Sequence, residues 1–178
     1  MTKTHRLFFA LEPDEKVRRE IHAVQKKLDC NGRMVPENQF HVTLAFLGMQ
    51  PAEIIPEVSA IASRVPFSPC SLVLDRFGIF RRAGVLWIGA TIIPAALQNF
   101  QLALLDNLER ADIGYDRKAW KPHLTLYRRL RNRPVIMETV PVTWRLNEFS
   151  LIESINVKSG IEYHRQGCWK YGSSEIYP

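Results

Sequence analysis

The tetrapeptides HVTL at residues 41–44 and HLTL at residues 123–126 repeat one pattern, in which a histidine and a threonine stand two positions apart. Both occur in stretches rich in β-branched and aromatic residues, which predicts strands over about 40–48 and 123–130. Side chains two positions apart share a face of a strand, so each histidine should lie beside its threonine and opposite two core residues. In a chain of 178 residues with five histidines, chance alone would produce two such tetrapeptides with a probability of about 10⁻⁴.

The segments around the two motifs show both helical and strand patterns, which predicts an α+β fold. Apolar spacing predicts helices over about 13–28, 52–64 and 94–111. Further strands are predicted over 6–11, 70–80, 84–90, 146–157 and 160–171, with turns at 81–83 and at Ser159-Gly160. Each HxTL strand follows a helix and a polar loop, which indicates two related halves, and no linker divides residues 1–178, so we expect a single domain.

The composition excludes several classes of protein. Hydrophobic residues make up 46% and charged residues 24%, as in globular rather than disordered chains. No apolar run approaches the roughly 18 residues of a membrane span, and the N-terminal apolar run is too short for a signal peptide. The three cysteines are widely spaced without a CxxC pair, so we expect small core residues and a reducing, cytoplasmic location. We also expect a monomer with no membrane partner.

The net charge of +6 is concentrated in one segment. Residues 116–133 contain seven basic residues against Asp116 alone, whereas the rest of the chain carries equal numbers of each sign. This segment flanks the second HxTL strand. We therefore expect a phosphate-bearing partner to bind near that strand.

Two imidazoles and two hydroxyls facing one groove suit the cleavage of a cyclic phosphodiester without a metal or other cofactor. One histidine would take a proton from the attacking water, and the other would give a proton to the leaving oxygen. The threonine hydroxyls would donate hydrogen bonds to the non-bridging phosphate oxygens. A single HxTL is explained more simply as an ordinary strand segment, but that explanation is poor for the pair. A zinc site would need a third ligand, and none with ligand spacing lies near either tetrapeptide.

Several segments together resemble one known family. RLFFAL at 6–11, HVTLAFLG at 41–48, FGIF and VLWIG within 77–89, and PHLTLYR at 122–128 are similar to segments of the bacterial RNA 2′,3′-cyclic phosphodiesterases, also called 2′-5′ RNA ligases, of the 2H phosphoesterase superfamily. The resemblance implies a bilobal fold of two facing antiparallel sheets, with helices outside and a central groove that carries one HxTx motif per lobe. It also implies hydrolysis of RNA 2′,3′-cyclic phosphates to 2′-phosphates, and the joining of RNA ends through a 2′-5′ linkage as the reverse reaction.

The resemblance further implies a role for each polar residue of the two motifs. His41 matches the family's proton donor and His123 its proton acceptor, while Thr43 and Thr125 match the phosphate-binding hydroxyls. The residues by themselves leave open which histidine is the acid. The opposite assignment would yield the 3′-phosphate.

The family's arginine after the second motif matches Arg128. Strict alternation from His123 would instead place Arg129 on the catalytic face. We predict that Arg128 binds the phosphate, which requires either a bulge after Leu126 or a position at the curling end of the strand.

Other aromatic residues are candidates for contact with the substrate. Phe9 and Trp87 could stack on bases, although their apolar strands favour core packing. Trp120 has lysines among its neighbours, and Tyr163 stands where the family often has a tyrosine near the site. The histidines outside the motifs are expected at the surface: His5, His22 and His164.

Two other functions also fit these residues. A phosphodiesterase of this kind could act on small cyclic nucleotides, which a rate comparison between a mononucleotide and an oligomer would reveal. A non-catalytic RNA-binding protein could use a basic groove and would show salt-sensitive binding without turnover. The paired histidines argue against this second alternative, because a protein that only binds RNA has no need of two proton-transfer groups.

Overall fold

Strands predominate in the described part of the chain. The structure is a computed structural model that describes residues 4–131, 141–158 and 160–172. The helices are α1 (Glu15–Lys26), α2 (Ile55–Arg64) and α3 (Ala95–Arg110). The strands are β1 (Thr4–Leu11), β2 (Arg33–Met34), β3 (Val42–Pro51), β4 (Cys70–Leu74), β5 (Arg76–Phe80), β6 (Val85–Gly89), β7 (His123–Arg128), β8 (Val142–Leu146), β9 (Glu148–Val157) and β10 (Gly160–Lys170).

An antiparallel sheet of eight strands forms the centre of the described residues. Its order is β10-β9-β1-β3-β7-β6-β5, with β2 paired to β7, and β4 and β8 form a separate two-stranded sheet. The α+β architecture is therefore confirmed, but the two expected sheets are joined into one by the pair Val42–Leu124 between β3 and β7. Both residues are fully buried, so the burial of these two apolar side chains explains why the HxTL strands meet there.

The helices cover one face of the large sheet. Ile21 of α1 and Leu104 of α3 are fully buried and belong to the same core as Leu44 and Leu126 of the HxTL strands. Each such side chain contributes about 1.5–3 kcal/mol when it is removed from water. The helices thus lie on the face away from the histidines and threonines of the motifs. No helix in the described ranges is long and apolar enough to cross a membrane.

The ends of the helices agree with local signals in the sequence. The Asp14 carboxylate caps α1 by accepting a hydrogen bond from the backbone N–H of Val17 at 2.9 Å, so the helix begins at Glu15, close to its predicted start. Pro56 lies in the first turn of α2 and Pro94 directly precedes α3, positions where the missing N–H of proline leaves no helical hydrogen bond unmade.

The segment 70–80 forms two strands where one was predicted. The chain turns at Asp75, whose Oδ1 accepts a hydrogen bond from the backbone N–H of Thr91 at 2.7 Å, so that β4 pairs with β8 while β5 pairs with β6. The predicted hairpin is therefore confirmed for β5 and β6. Gly84 closes its turn at a φ of +58°, a conformation that favours glycine.

The C-terminal strands differ from prediction in one respect. The predicted strand 146–157 is present as β9, which begins at Glu148, whereas the preceding strand β8 was not predicted. Gly160 opens β10 as expected, whereas Ser159, the other predicted turn residue, lies outside the described residues. The surface position predicted for His5 is wrong, because this residue is buried and its Nδ1 lies 2.6 Å from Oε1 of the half-buried Glu153.

Candidate active site

The two HxTL strands present their polar side chains to the face of the sheet that the helices leave open. Val42 and Leu124 have no exposed surface, whereas the flanking histidines and threonines are half-buried. Val42 pairs with Leu124 in antiparallel register. One step along each strand, the same register places His41 across from Thr125 and Thr43 across from His123. The predicted four-residue arrangement is thus brought together around an approximate two-fold axis.

Each motif histidine is anchored through Nδ1 to a backbone carbonyl two residues earlier. The Nδ1 of His41 donates to the Gln39 carbonyl at 2.8 Å, and the Nδ1 of His123 donates to the Lys121 carbonyl at 2.6 Å. A carbonyl only accepts, so Nδ1 carries the hydrogen in both rings and Nε2 is left for a substrate. Neither anchor was predicted, because a backbone carbonyl leaves no signal in the sequence.

Burial sets the protonation of both rings in the free protein. It lowers the pKa of His41 to about 4, against an opposing effect of the hydrogen bond to Gln39, and the positive charge of Arg128 lowers it further. Burial also lowers the pKa of His123, and the charges of Arg128 and Lys121 act in the same direction. Both imidazoles are therefore neutral near pH 7, with a lone pair on each Nε2.

Arg128 reaches the site because β7 contains a bulge. The register with β6 skips Leu126, so Leu126 and Tyr127 are both buried and Arg128 returns to the face of the motif histidines. The effect of its charge on the pKa of both histidines agrees with this position. Arg129 follows at a φ of +55°, where the strand has ended. The predicted bulge is thus present, and the phosphate-binding role of Arg128 stays a prediction.

The aromatic residue that reaches the site from β1 is Phe8, whereas Phe9, a possible substrate contact, packs in the core as its apolar strand favours. The Phe8 ring centroid lies 5.0 Å from that of His41. Phe9 has no exposed surface and packs on the opposite face of the sheet against Phe149 and Trp169. Both phenylalanines belong to an apolar run that is buried on both faces, so no alternation in the sequence distinguished them.

Tyr163 forms the second aromatic wall around His41. Its ring is edge-on to that of His41, with centroids 5.1 Å apart, and also touches Phe8. Burial raises the pKa of the Tyr163 hydroxyl, while the charges of Arg128 and Arg6 lower it. The structure therefore places Tyr163 beside the site, as expected, and its contact with substrate stays a prediction.

A matching pair of rings surrounds His123. Phe80 lies edge-on to it with centroids 4.8 Å apart, and Trp87 lies 5.9 Å away. The Lys121 ammonium lies 4.6 Å from the centre of the Trp87 ring. Trp87 is almost fully buried, in agreement with its expected packing, and Phe80 is a neighbour of the site that the sequence did not reveal.

A cavity of about 1170 Å³ opens beside His123 and Thr43. Phe80 and Trp120 form part of its wall. The Trp120 indole N–H donates to the Thr43 carbonyl at 2.9 Å, which ties this half-buried ring to β3. Trp120 thus lies at the site, and its predicted contact with substrate remains to be tested. Within the described ranges, no three His, Cys, Asp or Glu side chains are grouped so that they could hold a metal ion.

Fold and site together define an antiparallel α+β protein whose two HxTx motifs present their histidines and threonines to one site. Comparison with known proteins agrees. The profile of the family described as LigT like Phosphoesterase matches residues 11–87. An RNA 2′,3′-cyclic phosphodiesterase of Escherichia coli (strain K12) is 31% identical over 131 residues, which cover 72% of this chain and 74% of that protein. A protein of the same name from Thermus thermophilus is 30% identical over 168 residues, which cover 84% and 81% respectively.

Solved phosphoesterase structures are similar to this chain over almost its whole length. The crystal structure of E. coli LigT complexed with 3′-AMP superposes with a TM-score of 0.87 at 27% identity and covers 96% of this chain and 100% of that one. A crystal structure described as a phosphoesterase gives a TM-score of 0.88, also at 27% identity, with coverage of 94% and 98%. This chain belongs to the LigT-like phosphoesterase family and is accordingly an enzyme of phosphodiester hydrolysis.

Proposed function

We propose that the protein hydrolyses RNA 2′,3′-cyclic phosphodiester ends to 2′-phosphomonoesters by acid–base catalysis that needs no metal. The observation that carries this proposal is the pair of anchored imidazoles on one face of the sheet, each with its Nδ1 held by a backbone carbonyl and its Nε2 available. The names of the E. coli and T. thermophilus relatives support RNA 2′,3′-cyclic ends as the substrate.

In this mechanism the two histidines act on opposite sides of the phosphorus. His123 accepts a proton from water at Nε2 as the water oxygen forms its bond to phosphorus, in line with the P–O3′ bond. Protonated His41 gives its proton to O3′ as that bond breaks. The product has a phosphate on O2′ and a hydroxyl at C3′, and proton exchange with solvent restores both rings. Each proton transfer contributes roughly 10²–10⁴ in rate.

Binding of the substrate would favour the protonated form of His41, the proposed acid. In the free protein His41 is neutral near pH 7, because burial lowers its pKa to about 4. A diester anion bound next to the ring favours the imidazolium and raises that pKa. Thr43, Thr125 and Arg128 would hold the anion by donating hydrogen bonds to its non-bridging oxygens, which gain charge in the transition state.

The same groups fit the joining of RNA ends through a 2′-5′ linkage. If the 5′-hydroxyl of a second RNA replaces water, His123 takes the proton of that hydroxyl and the P–O3′ bond breaks as before. The cavity beside His123 would receive this second RNA, since a nucleophile must approach on the side of the base. Incubation of a cyclic-ended oligomer with a 5′-hydroxyl oligomer, followed by analysis for the longer product, tests this part of the proposal.

Product analysis of a 5′-labelled oligoribonucleotide with a 2′,3′-cyclic end tests the main reaction. We expect the 2′-monophosphate, whereas a 3′-monophosphate would reverse the roles of the histidines and absence of turnover would contradict the proposal. In His41→Asn and His123→Asn the rate should fall at least about 100-fold while circular dichroism is unchanged. His164→Asn, which changes an exposed histidine, is the matched control. EDTA should have no effect, and strong inhibition would contradict the metal-independent mechanism.

A further inference from the structure

Four arginines from two distant segments of the chain lie together beside the site. β2 brings Arg33 alongside β7, where it is the cross-strand partner of Arg128. Arg33 and Arg129 line two cavities, one of about 400 Å³ that also includes Arg131, and one of about 130 Å³ that also includes Arg128 and Tyr163. We call Arg33, Arg128, Arg129 and Arg131 the arginine patch.

The charges of the patch are not neutralised by the part of the protein that the structure describes. No carboxylate of the described residues forms an ion pair with any of the four guanidinium groups. Two other members of the basic segment 116–133 are paired: Arg117 with Glu109 at 2.9 Å, and Lys118 with Asp116 at 3.0 Å. Among the described residues of this segment, Arg117 and Lys118 are thus neutralised, whereas Arg128, Arg129 and Arg131 have no ion-pair partner and are available to an anion.

The patch also contains a pair of residues that is unfavourable in the absence of an anion. Arg33 and Arg128 are directly opposite each other across β2 and β7, and like charges in this position destabilise a strand pair. A bound phosphate would remove the repulsion, because each guanidinium can donate two hydrogen bonds to its oxygens.

The patch lies on the side of the site where the body of an RNA substrate would extend. In the proposed mechanism His41 protonates O3′, so the terminal ribose lies on the His41 side of the phosphorus. Tyr163 is next to His41, with ring centroids 5.1 Å apart, and lines the same cavity as Arg33 and Arg129. The nucleotides that precede the cyclic end would therefore lead from Tyr163 towards the patch.

We propose that the arginine patch binds the phosphodiester backbone of an RNA strand immediately upstream of its cyclic end. This inference rests on the proposed function and specifies its substrate class, which is an oligomer or a longer RNA and not a cyclic mononucleotide. Arg128 contacts the reacting phosphate, while Arg33, Arg129 and Arg131 contact backbone phosphates further upstream. Arginine suits this task because its planar group matches the geometry of phosphate oxygens.

A comparison of two substrates distinguishes the effect of the patch on kcat/KM from the effect of the catalytic groups. The substrates are cytidine 2′,3′-cyclic phosphate and a hexaribonucleotide with the same cyclic end, tested with wild type, Arg33→Ala and Arg131→Ala. We expect kcat/KM for the hexamer to fall roughly two- to fivefold per arginine. The slope of log kcat/KM against log salt should lose about 0.7 per arginine, as for one contact to a single-strand phosphate. Neither variant should change kcat/KM for the mononucleotide.

The control variant is Arg19→Ala, whose guanidinium is paired with Glu15 on α1 at 3.0 Å and which should behave as wild type with both substrates. The proposal about the patch would be overturned if Arg33→Ala and Arg131→Ala kept the wild-type ratio of kcat/KM for the hexamer to kcat/KM for the mononucleotide and also kept the wild-type salt slope. Absence of turnover of both substrates by wild type would instead overturn the proposed function. Fluorescence anisotropy with a labelled hexamer that ends in a 2′-phosphate would then test the patch independently of turnover. If the patch binds RNA, the hexamer must bind more weakly to both arginine variants than to wild type.

Discussion

Replacing His41 by asparagine should make the fold less sensitive to acid. Burial is the main cause that lowers the pKa of this ring from 6.5 to about 4 in the folded protein. The unfolded chain therefore binds a proton on His41 before the folded protein does, and the free energy of unfolding falls as the pH drops from about 6.5 to 4. Between pH 7 and pH 5 this single group should remove about 2 kcal/mol of stability.

Asparagine is the informative replacement because its amide can still donate a hydrogen bond to the Gln39 carbonyl but does not titrate. Urea unfolding, followed by tryptophan fluorescence at both pH values, should show wild type losing about 2 kcal/mol more than His41→Asn. His164→Asn removes an exposed imidazole on β10 and should follow wild type. Equal losses in wild type and His41→Asn would refute the argument that burial keeps this ring neutral.

Three further predictions follow from the same site. In wild type, kcat/KM should be highest below pH 6.5 and fall as the pH rises through neutrality, because one histidine must be protonated and the pKa of both is lowered; an optimum above pH 8 would contradict this. Arg128→Met should lower kcat/KM roughly 10- to 100-fold through loss of a charged hydrogen bond. The same variant should shift the pH profile of kcat/KM to higher pH, because the Arg128 charge lowers the pKa of both histidines. An unshifted profile would mean that Arg128 acts on the phosphate alone. Gly78→Ala should lower the free energy of unfolding in urea by about 1–3 kcal/mol, because its Cβ would lie 2.0 Å from the Trp87 ring. Gly114→Ala, which meets open space, should stay within about 0.5 kcal/mol of wild type and is the control.

The two histidines make the same kinds of contact with different residues. Each Nδ1 donates to the carbonyl two residues earlier, and each ring is flanked by two aromatic side chains, Phe8 and Tyr163 around His41 and Phe80 and Trp87 around His123. Rings held in this way keep one orientation, so both Nε2 atoms are positioned before a substrate binds. Apolar walls also exclude water, which is the reason for the lowered pKa values.

Features that depend on local periodicity could be predicted from the sequence. The alternation in HVTL and HLTL predicts which side chains share a face, because a strand repeats every two residues and the burial of Val42 and Leu124 is incompatible with any other orientation. The helices were predicted for a similar reason, since apolar spacing of three and four residues is a local signal and Asp14 and Pro94 mark two helix starts within the sequence.

Features that depend on pairing between distant segments could not be predicted in the same way. The division of 70–80 at Asp75 reflects the pairing of β4 with β8, and no local pattern encodes that partner. The choice of Phe8 over Phe9 depends on which face of β1 meets His41. Neither phenylalanine differs from the other in its immediate neighbours, because the run is apolar throughout.

The groups on which the proposed chemistry depends can be recognised in the sequence: two imidazoles and two hydroxyls on strands, next to a basic segment. How these groups meet depends on the fold. The pair Val42–Leu124 brings the two motifs to one site, the bulge at Leu126 turns Arg128 towards it, and β2 adds Arg33 to the arginine patch. Strand register and bulges result from contacts between segments far apart in the chain, whereas side-chain alternation is set within each strand.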